Sequence, residues 1–554
     1  MRILIVVPRG VPGDHASYQY LFPLGLGYIA ATLKAAGHEV RALNLNHREG
    51  RVDDLVRLHF QEQGPFQMVC AGGLSTAFGR VKSIVEAVRS AAPSVRIVLG
   101  GGLVSSEPEL IFQALKPDYI VVGEGEDTIR ELAAVLARDG DPASVHGIGY
   151  RSPTGACLLT PPRDPIADLD ALPWPDFEAF EFGTYLDHLK PSDQYFYDIF
   201  DEPRVYPIVT SRSCPFNCTF CFHPLGKKYR QRSLSGVMDE LRAQVLRYRL
   251  NIVAIYDELF SSDRARVEVF CEQFARLRAE VGWDVRWGCQ MRVDRLDDRL
   301  LATMKEAGCY MVSYGFESYS PAVLKSLKKY ITPEQIRRAL EITQRHGISI
   351  QANFIFGDRA ETAATARETL DFWKQHVHAG IQLGFINPYP GTELYEHCVA
   401  KGTIRDRLDF IENHITDTLN MTDTLSPRQF AALQRDVFAC QLRYPSQVIP
   451  AAVQPEASGA YALSIVCPHC RAEVCYRHYE IVRPRFFSIM FYCRRCHRRF
   501  FAVSRRYLWM NRVIRLALAV VPAFVFAGLL KALHALWRRL LGWMTRPSRP
   551  QRGA

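Results

Sequence analysis

The sequence predicts an α/β protein built on two successive parallel sheets: a doubly wound, Rossmann-like sheet at the N-terminus and a partial (β/α)6 barrel in the centre. Three observations carry this. Short apolar segments alternate with amphipathic helical runs over residues 1–140. A second, six-fold alternation occupies residues 201–400. Polar residues and glycines gather at the ends of these apolar segments, where α/β folds place their ligands.

In the first region the strands are RILIVVP (2–8), EVRALNL (39–45), QMVCAGG (67–73), VRIVLGG (95–101) and DYIVVGE (118–124). Continuously apolar strands separated by helices imply a parallel sheet covered on both faces. LGLGYIAATLKAAG (24–37) is a helix stopped by Gly37. The strand ends carry Gly72-Gly73-Leu74-Ser75-Thr76, Gly100-Gly101-Gly102 and Gly123-Glu124-Gly125-Glu126. No GxGxxG follows the first strand, so a dinucleotide site is not supported. MRILIVVPRG reads as a first strand rather than a secretion signal. The expected setting is the reducing cytoplasm, where the 15 cysteines point to metal sites more than to disulfides.

Residues 141–200, with PPRDP and LPWPDF and no sustained periodicity, read as a linker. The second alternation supplies VYPIVT (205–210), NIVAIYDE (251–258), DVRWGCQ (284–290), YMVSYGF (310–316), ISIQANFIFG (348–357) and GIQLGFI (380–386). Its helix from Thr332 has Pro333 at the first position, Gln335 to complete a capping box and Gly347 as a stop. One barrel mouth would then collect three cysteines, Asp257 and Glu258, Gln290 and Arg292, Glu317 and Ser318, Asp358, and Asn387. A single carboxylate at a strand end is often only a helix cap; six such ends on one mouth point to a site.

The three cysteines lie in SRSCPFNCTFCFHP (211–224): Cys214, Cys218 and Cys221, spaced C-x3-C-x2-C. Three thiolates hold a 4Fe–4S cluster at three irons and leave the fourth open; a zinc knuckle or three unrelated thiols is the competing reading. With an aromatic before the last cysteine, the motif resembles the signature of the radical S-adenosylmethionine (radical SAM) superfamily. YDELF (256–260), YGFESYS (314–320), NFIFG (353–357) and NPYPGTELY (387–395) look like its supporting segments. FPLGLGYIAATLKAAGHEV (22–40), IVLGGGLVSSEPE (97–109) and DYIVVGEGEDTIREL (118–132) resemble the cobalamin-binding domain fused to one branch of that superfamily.

The resemblance implies a 4Fe–4S cluster that binds SAM at its open iron, cleavage of SAM to a deoxyadenosyl radical by an external reducing electron donor, and hydrogen abstraction from an unactivated carbon. In methylating members cobalamin then delivers a methyl group. Phe220, Arg292, Gly315, Glu317 and Ser318 would lie at SAM, and Gly25, Ser75, Thr76, Gly100, Gly101, Gly123 and Glu124 at cobalamin. A D-x-H-x-x-G cobalt-ligand loop is only approximated by Leu45-Asn46-His47-Arg48-Glu49-Gly50, with Leu for Asp, so His47 reads as an ordinary loop histidine.

Residues 401–460 look helical. Beyond them CPHC (467–470) and CRRC (493–496) pair as Cys467, Cys470, Cys493 and Cys496, the spacing of a closed structural zinc ribbon over 461–504, with a rubredoxin-like iron site as the alternative. Of the net charge of +10, residues 471–554 hold 18 basic against 2 acidic side chains, which leaves residues 1–470 at −6. The tail, 505–554, is therefore the basic part. Its apolar run 516–530 spans about 22 Å as a helix, short of the ~30 Å hydrocarbon core. Leu530, Leu533, Trp537, Leu540 and Met544 then form an amphipathic stripe beside Arg538 and Arg539. The expectation is a cobalamin-dependent C-methylating enzyme, peripheral or short-anchored at the inner face of an anionic membrane, with an apolar, lipid-like substrate. The alternatives are radical cyclisation or oxidation without methyl transfer, RNA modification using the basic tail, which the apolar run argues against, and a non-enzymatic cobalamin sensor.

Overall fold

The structure is a computed structural model, and it describes residues 1–522 together with 525, 526 and 528. The first sheet contains β1 (Arg2–Val7), β2 (Glu39–Asn44), β3 (Met68–Gly72), β4 (Arg96–Gly100), β5 (Tyr119–Val121), β6 (Ile148–Arg151) and β7 (Cys157–Leu159), in the order β2-β1-β3-β4-β5-β6-β7. β1 to β5 are parallel, as predicted. Along β1 the side chains divide by the strand's period of two: Ile3, Ile5 and Val7 enter one core and Leu4 and Val6 the other. Both faces are thus covered by helices, which explains why these strands read as unbroken apolar runs.

The expected linker, residues 141–200, is in part strand. β6 and β7 belong to the stretch read as a linker, and they pair antiparallel onto β5. Both are short, β7 is the exposed edge of the sheet and only the first half of β6 is buried, so they lack the apolar signal of the buried strands.

The second sheet has β8 (Val205–Ile208), β11 (Ile252–Ile255), β12 (Arg286–Met291), β13 (Cys309–Glu317), β14 (Ser349–Phe356) and β15 (Ile381–Phe385), and between β8 and β11 the chain forms a separate antiparallel hairpin, β9 (Ser211–Arg212) and β10 (Arg230–Gln231). The order β15-β14-β13-β12-β11-β8 is fully parallel, the open six-stranded barrel expected. Helices Leu234–Tyr248, Arg264–Val281, Asp298–Glu306, Pro333–Arg345 and Ala363–Gln375 connect the strands. The Thr332–Gln335 capping box forms with Pro333 in the first turn. A single apolar core runs from one face of the first sheet into the barrel, joining Ile5 and Phe177 to Tyr206 and Ile255. That shared core fixes the two sheets against each other.

Residues 401–460, expected to be helical, are helical at Arg407–Asp409, Phe410–His414 and Pro427–Arg443 and not beyond Arg443. From there β16 (Gln447–Val448), β17 (Ala452–Pro455), β18 (Tyr461–Val466), β19 (Glu473–Tyr479), β20 (Ser488–Tyr492) and β21 (Arg499–Val503) form two three-stranded sheets with their own small core. Pro450 and Pro455 interrupt the pattern of the first two strands and hide them from a periodicity reading. The helix Arg505–Val520 follows. Among the described residues no helix is long and apolar enough to cross a membrane. The expected stripe Leu530, Leu533, Trp537, Leu540 and Met544 lies outside the described residues.

Candidate active site

The C-terminal ends of the barrel strands open into a cavity of about 830 Å³ whose opposite wall belongs to the first domain. Cys214, Cys218 and Cys221 all line it. Their loop leaves the barrel at β9 and returns at β10. Its base is held by Asp257, just beyond β11: the fully buried carboxylate accepts from the Thr210 amide at 2.6 Å, Thr210 Oγ1 at 2.5 Å, the Ser211 amide at 3.1 Å and Ser211 Oγ at 2.7 Å. Burial pushes this carboxyl upward against those four donors. Asp257 therefore positions the cysteine loop and does not face the cavity. Further along, the Thr219 amide donates to Leu327 O at 3.1 Å and the Leu394 amide to Thr219 O at 3.1 Å. The loop is thereby pinned between two other barrel segments.

Opposite the thiols, Glu317 and Lys329 form a buried ion pair at 2.8 Å. Glu317 sits at a left-handed backbone position, φ 62°, at the end of β13. Gly315 makes room for the pair: a Cβ there would come 2.2 Å from Glu317 Oε1 and 2.5 Å from Lys329 Nζ. Burial disfavours the Lys329 charge, but Glu317 and Cys218 outweigh it and hold the ammonium above its ordinary range. The Cys218 thiol is drawn down by its hydrogen bond with Cys221 and, after burial's opposing push, by Lys329. Arg292 stacks over Phe216, 3.7 Å from the ring centroid, and is steered by Asp294 at 3.0 Å and by Lys329 O at 2.9 Å. Lys329 lies 5.9 Å from the Phe220 centroid. A ring of side chains with opposite charges and aromatic faces thus surrounds the thiols.

The first domain contributes Leu74, Ser75, Thr76 and Gly102. Phe222 spans the gap, near Gly102 and packed on the backbone of Gly391 so closely that a Cβ at Gly391 would lie 2.4 Å from its ring. Behind this wall is a buried four-residue latch. Glu124 takes Arg212 at 3.1 Å and Arg230 at 2.7 Å, and Glu126 takes Arg212 at 2.6 Å. Glu124 also accepts from the Ile166 amide at 2.6 Å.

Of the side chains expected at SAM, Phe220, Arg292, Gly315 and Glu317 line the cavity. Ser318 does not: it is buried behind β13, where its Oγ lies 3.2 Å from Thr369 Oγ1. Of those expected at cobalamin, Ser75 and Thr76 line the cavity. Glu124 is corrected to an interdomain ion pair. Gly25 is exposed on its helix with open space around it. Gly100, Gly101 and Gly123 shape the strand-end turns behind the wall, Gly123 through its amide to Ser105 Oγ at 2.9 Å. His47 is the ordinary loop residue expected. Its Nε2 meets Tyr20 Oη at 2.8 Å and its Nδ1 Glu181 at 2.8 Å, which leaves no nitrogen for a metal.

Sequence reasoning missed Lys329, Arg230 and His223. His223 lines the cavity with neither ring nitrogen hydrogen-bonded among the described residues, its nearest charge Glu258 at 3.6 Å. It stands in the quoted motif, two residues past Cys221, and its position was the available signal. Lys329 had none, because only the fold brings it to the thiols.

The donor set fits the implied cofactors. Among the described residues the one group of metal-ligating side chains that converges to within 4.8 Å is Cys467, Cys470, Cys493 and Cys496. The three loop thiols line one large cavity together, and three thiolates on one loop would hold a 4Fe–4S cluster at three irons and leave the fourth open. The glycine- and serine-bearing strand ends facing them are where an open α/β sheet takes its ligand.

Comparison with known proteins agrees. The B12 binding domain family matches residues 14–133 and the Radical SAM superfamily matches residues 208–372. An uncharacterized methyltransferase of Pyrococcus horikoshii is 28% identical over 73% of this chain and 84% of its own length. The anaerobic magnesium-protoporphyrin IX monomethyl ester cyclase of Rubrivivax gelatinosus is 27% identical over 73% of this chain and 71% of its own. Among solved structures, the radical S-adenosylmethionine methyltransferase TsrM from Kitasatospora setae, with cobalamin and a [4Fe-4S] cluster bound, superposes with TM-score 0.58 at 21% identity, covering 72% of this chain and 75% of that one. The cobalamin-dependent radical enzyme OxsB superposes with TM-score 0.53 at 19% identity over 76% of this chain and 58% of that one. A B12-binding sheet thus faces a three-thiol barrel across one cavity: the chain combines the B12 binding domain with a domain of the Radical SAM superfamily.

Proposed function

We propose that this enzyme methylates an unactivated carbon of an apolar, lipid-like substrate. The observation that carries the reading is the composition of the cavity. Thiols and the Glu317–Lys329 pair stand at one end and residues 74–76 of the B12-binding domain at the other, and much of the wall between is apolar, including Phe216, Phe222, Met291, Ile355, Phe385 and Ile386. Bound there, the cluster and SAM would supply a carbon-centred radical and cobalamin a methyl group. The chain's own residues bind and orient. Cys214, Cys218 and Cys221 would hold the cluster, Glu317, Lys329 and Arg292 offer charges that match the amino and carboxylate groups of an amino-acid ligand, and Phe222 with Gly391 closes the wall against water. A reducing electron donor is required as partner.

The placement at an anionic membrane surface is part of the same proposal. On the helix Arg505–Val520, Trp509, Val513, Leu516 and Val520 are exposed at spacings of four, three and four, which puts them on one face. Arg505, Arg506, Arg512 and Arg515 are exposed around them, and the helix has no acidic residue. A groove of about 630 Å³ beside it is lined by Arg435, Arg443, Arg512 and Arg515 with one acidic residue, Asp436. An apolar stripe rimmed by cations matches an acidic lipid surface. Flotation with phosphatidylglycerol vesicles, but not with phosphatidylcholine vesicles or RNA, is the expected result, and the W509A/L516A variant should stay at the bottom of the gradient. Equal behaviour of the variant and the parent would remove this support.

A second reading, radical cyclisation without methyl transfer, is favoured by the similarity to the cyclase. Incubating the anaerobic enzyme with methyl-labelled SAM and a lipid extract decides between them: label in an extracted lipid supports methylation, and a product altered without label supports the alternative.

A further inference from the structure

The two C-x2-C knuckles do more in the fold than their spacing predicts. Cys467 Sγ lies 3.8 Å from Cys496 Sγ and Cys470 Sγ 3.7 Å from Cys493 Sγ, and all four sulfurs are within 4.8 Å of one another. A tetrahedron of sulfurs about 2.3 Å from a central zinc has edges of about 3.8 Å. In each knuckle an amide points at the first sulfur, His469 N to Cys467 and Arg495 N to Cys493, both at 3.4 Å; such bonds favour the thiolate form. Other nearby donors are committed elsewhere. His469 Nε2 lies 3.0 Å from Arg499 O, and His497 Nδ1 lies 3.3 Å from Ser349 Oγ. Four thiolates on a divalent ion carry a net charge of −2, and the second knuckle, CRRCHRR, has four arginines within three residues of its cysteines in the chain.

The second knuckle is also what closes the barrel at the end away from the active site. Tyr492 Oη donates to Ile350 O at 2.8 Å, at the start of β14, and Arg499 Nη2 to Ile381 O at 2.8 Å, at the start of β15. The Tyr492 amide donates to Asp198 at 2.8 Å, Arg494 Nε to Asp198 O at 2.8 Å, and Arg494 pairs with Asp201 at 2.8 Å. Every one of these anchors lies within three residues of Cys493 or Cys496. They tie the ribbon and residues 198–201 across the N-terminal ends of β14 and β15.

We infer that Cys467, Cys470, Cys493 and Cys496 hold one zinc ion, and that this ion is the clamp of the barrel floor: it fixes the second knuckle, and the knuckle fixes the ends of β14 and β15. Zinc suits the site because a closed all-thiolate tetrahedron asks for a soft cation with no geometric preference of its own. Binding releases the thiol protons to solvent.

The test uses the full-length protein. Elemental analysis should find one zinc per chain, and it should persist when Cys214, Cys218 and Cys221 are all replaced by Ala and iron is lost. Chelator treatment of the parent protein should speed amide exchange at residues 349–352 and 377–382 at least tenfold, with zinc addition restoring the slow rate; C467S/C493S should match the chelated state. A site filled by iron, four thiols titratable in protein purified with zinc present, or floor exchange unchanged by zinc removal would each overturn the inference. Because zinc content is read in the inactive triple-Ala protein and amide exchange needs no turnover, failure here is separable from failure of the proposed reaction.

Discussion

Replacing Glu124 by Gln keeps its size and removes its charge, and the structure states what that should cost. The carboxylate is 4% exposed and bonds two arginines that are themselves 8% and 5% exposed. In the variant Arg212 keeps Glu126, while Arg230 keeps only neutral partners, Ser213 Oγ at 3.2 Å and the Ile166 and Lys228 carbonyls at 2.6 and 3.0 Å. Removing one partner of a buried ion pair typically costs about 3–5 kcal/mol. The cost falls on the β9–β10 hairpin, which carries the cysteine loop, so it should appear as local opening there. At about 1.4 kcal/mol per tenfold, the amide of Arg232, bonded to Thr210 O at 2.9 Å, should exchange roughly two to four orders of magnitude faster. Cobalamin affinity should change much less, because Glu124 faces the arginines. Exchange-coupled mass spectrometry and a cobalamin titration on the same protein decide it. Unchanged exchange with a tenfold loss of cobalamin affinity would refute the latch and return Glu124 to the cofactor.

Three further outcomes are expected. Gly315→Ala places a methyl group 2.5 Å from Lys329 Nζ and must separate the Glu317–Lys329 pair. SAM affinity, measured by equilibrium dialysis, should fall at least tenfold while iron content holds. Asp257→Asn turns an amide NH2 toward donors and leaves at least one of Thr210 and Ser211 without an acceptor, at about 1–3 kcal/mol; iron per chain should drop after reconstitution while cobalamin binding is retained. Glu361 is almost fully buried at the turn after β14, and burial, which outweighs its bond from Thr365 Oγ1 at 2.6 Å, raises its carboxyl to about 7. The folded state therefore holds this proton more tightly than the unfolded chain does. The associated stability is complete below the unfolded value near 4.5 and is lost as pH rises to about 7, roughly 3 kcal/mol over that window. Urea midpoints of Glu361→Gln should lack that decline; a parallel decline would assign it to another group.

The fold and the two cysteine-bearing segments were legible in the sequence for a simple reason. Strands buried on both faces, such as β1 and β3, leave unbroken apolar runs, and cysteine spacing is a local property. β6, β7, β16 and β17 were not legible, because they are short and largely half-exposed or exposed, and their residues satisfy backbone bonds without needing an apolar pattern. At the site, Glu317 and Arg292 stood at strand ends and were found. Lys329 and Arg230 act through partners 12 and 106 residues away in the chain, a distance that periodicity cannot bridge. Glu124 and Ser318 show the opposite error: both belong to motif-bearing segments, yet the fold turns one to an interdomain pair and the other to the outer side of β13.

The central claim is that one cavity serves a radical-forming barrel and a methyl-delivering B12 domain. Its most direct test is single-vessel turnover under strict anaerobiosis with cluster-loaded enzyme, cobalamin, SAM, a low-potential reductant and a lipid extract. Deoxyadenosine and S-adenosylhomocysteine should form together, both should require added cobalamin, and both should vanish in Cys218→Ala. Deoxyadenosine forming at an undiminished rate without cobalamin and without S-adenosylhomocysteine would contradict the account.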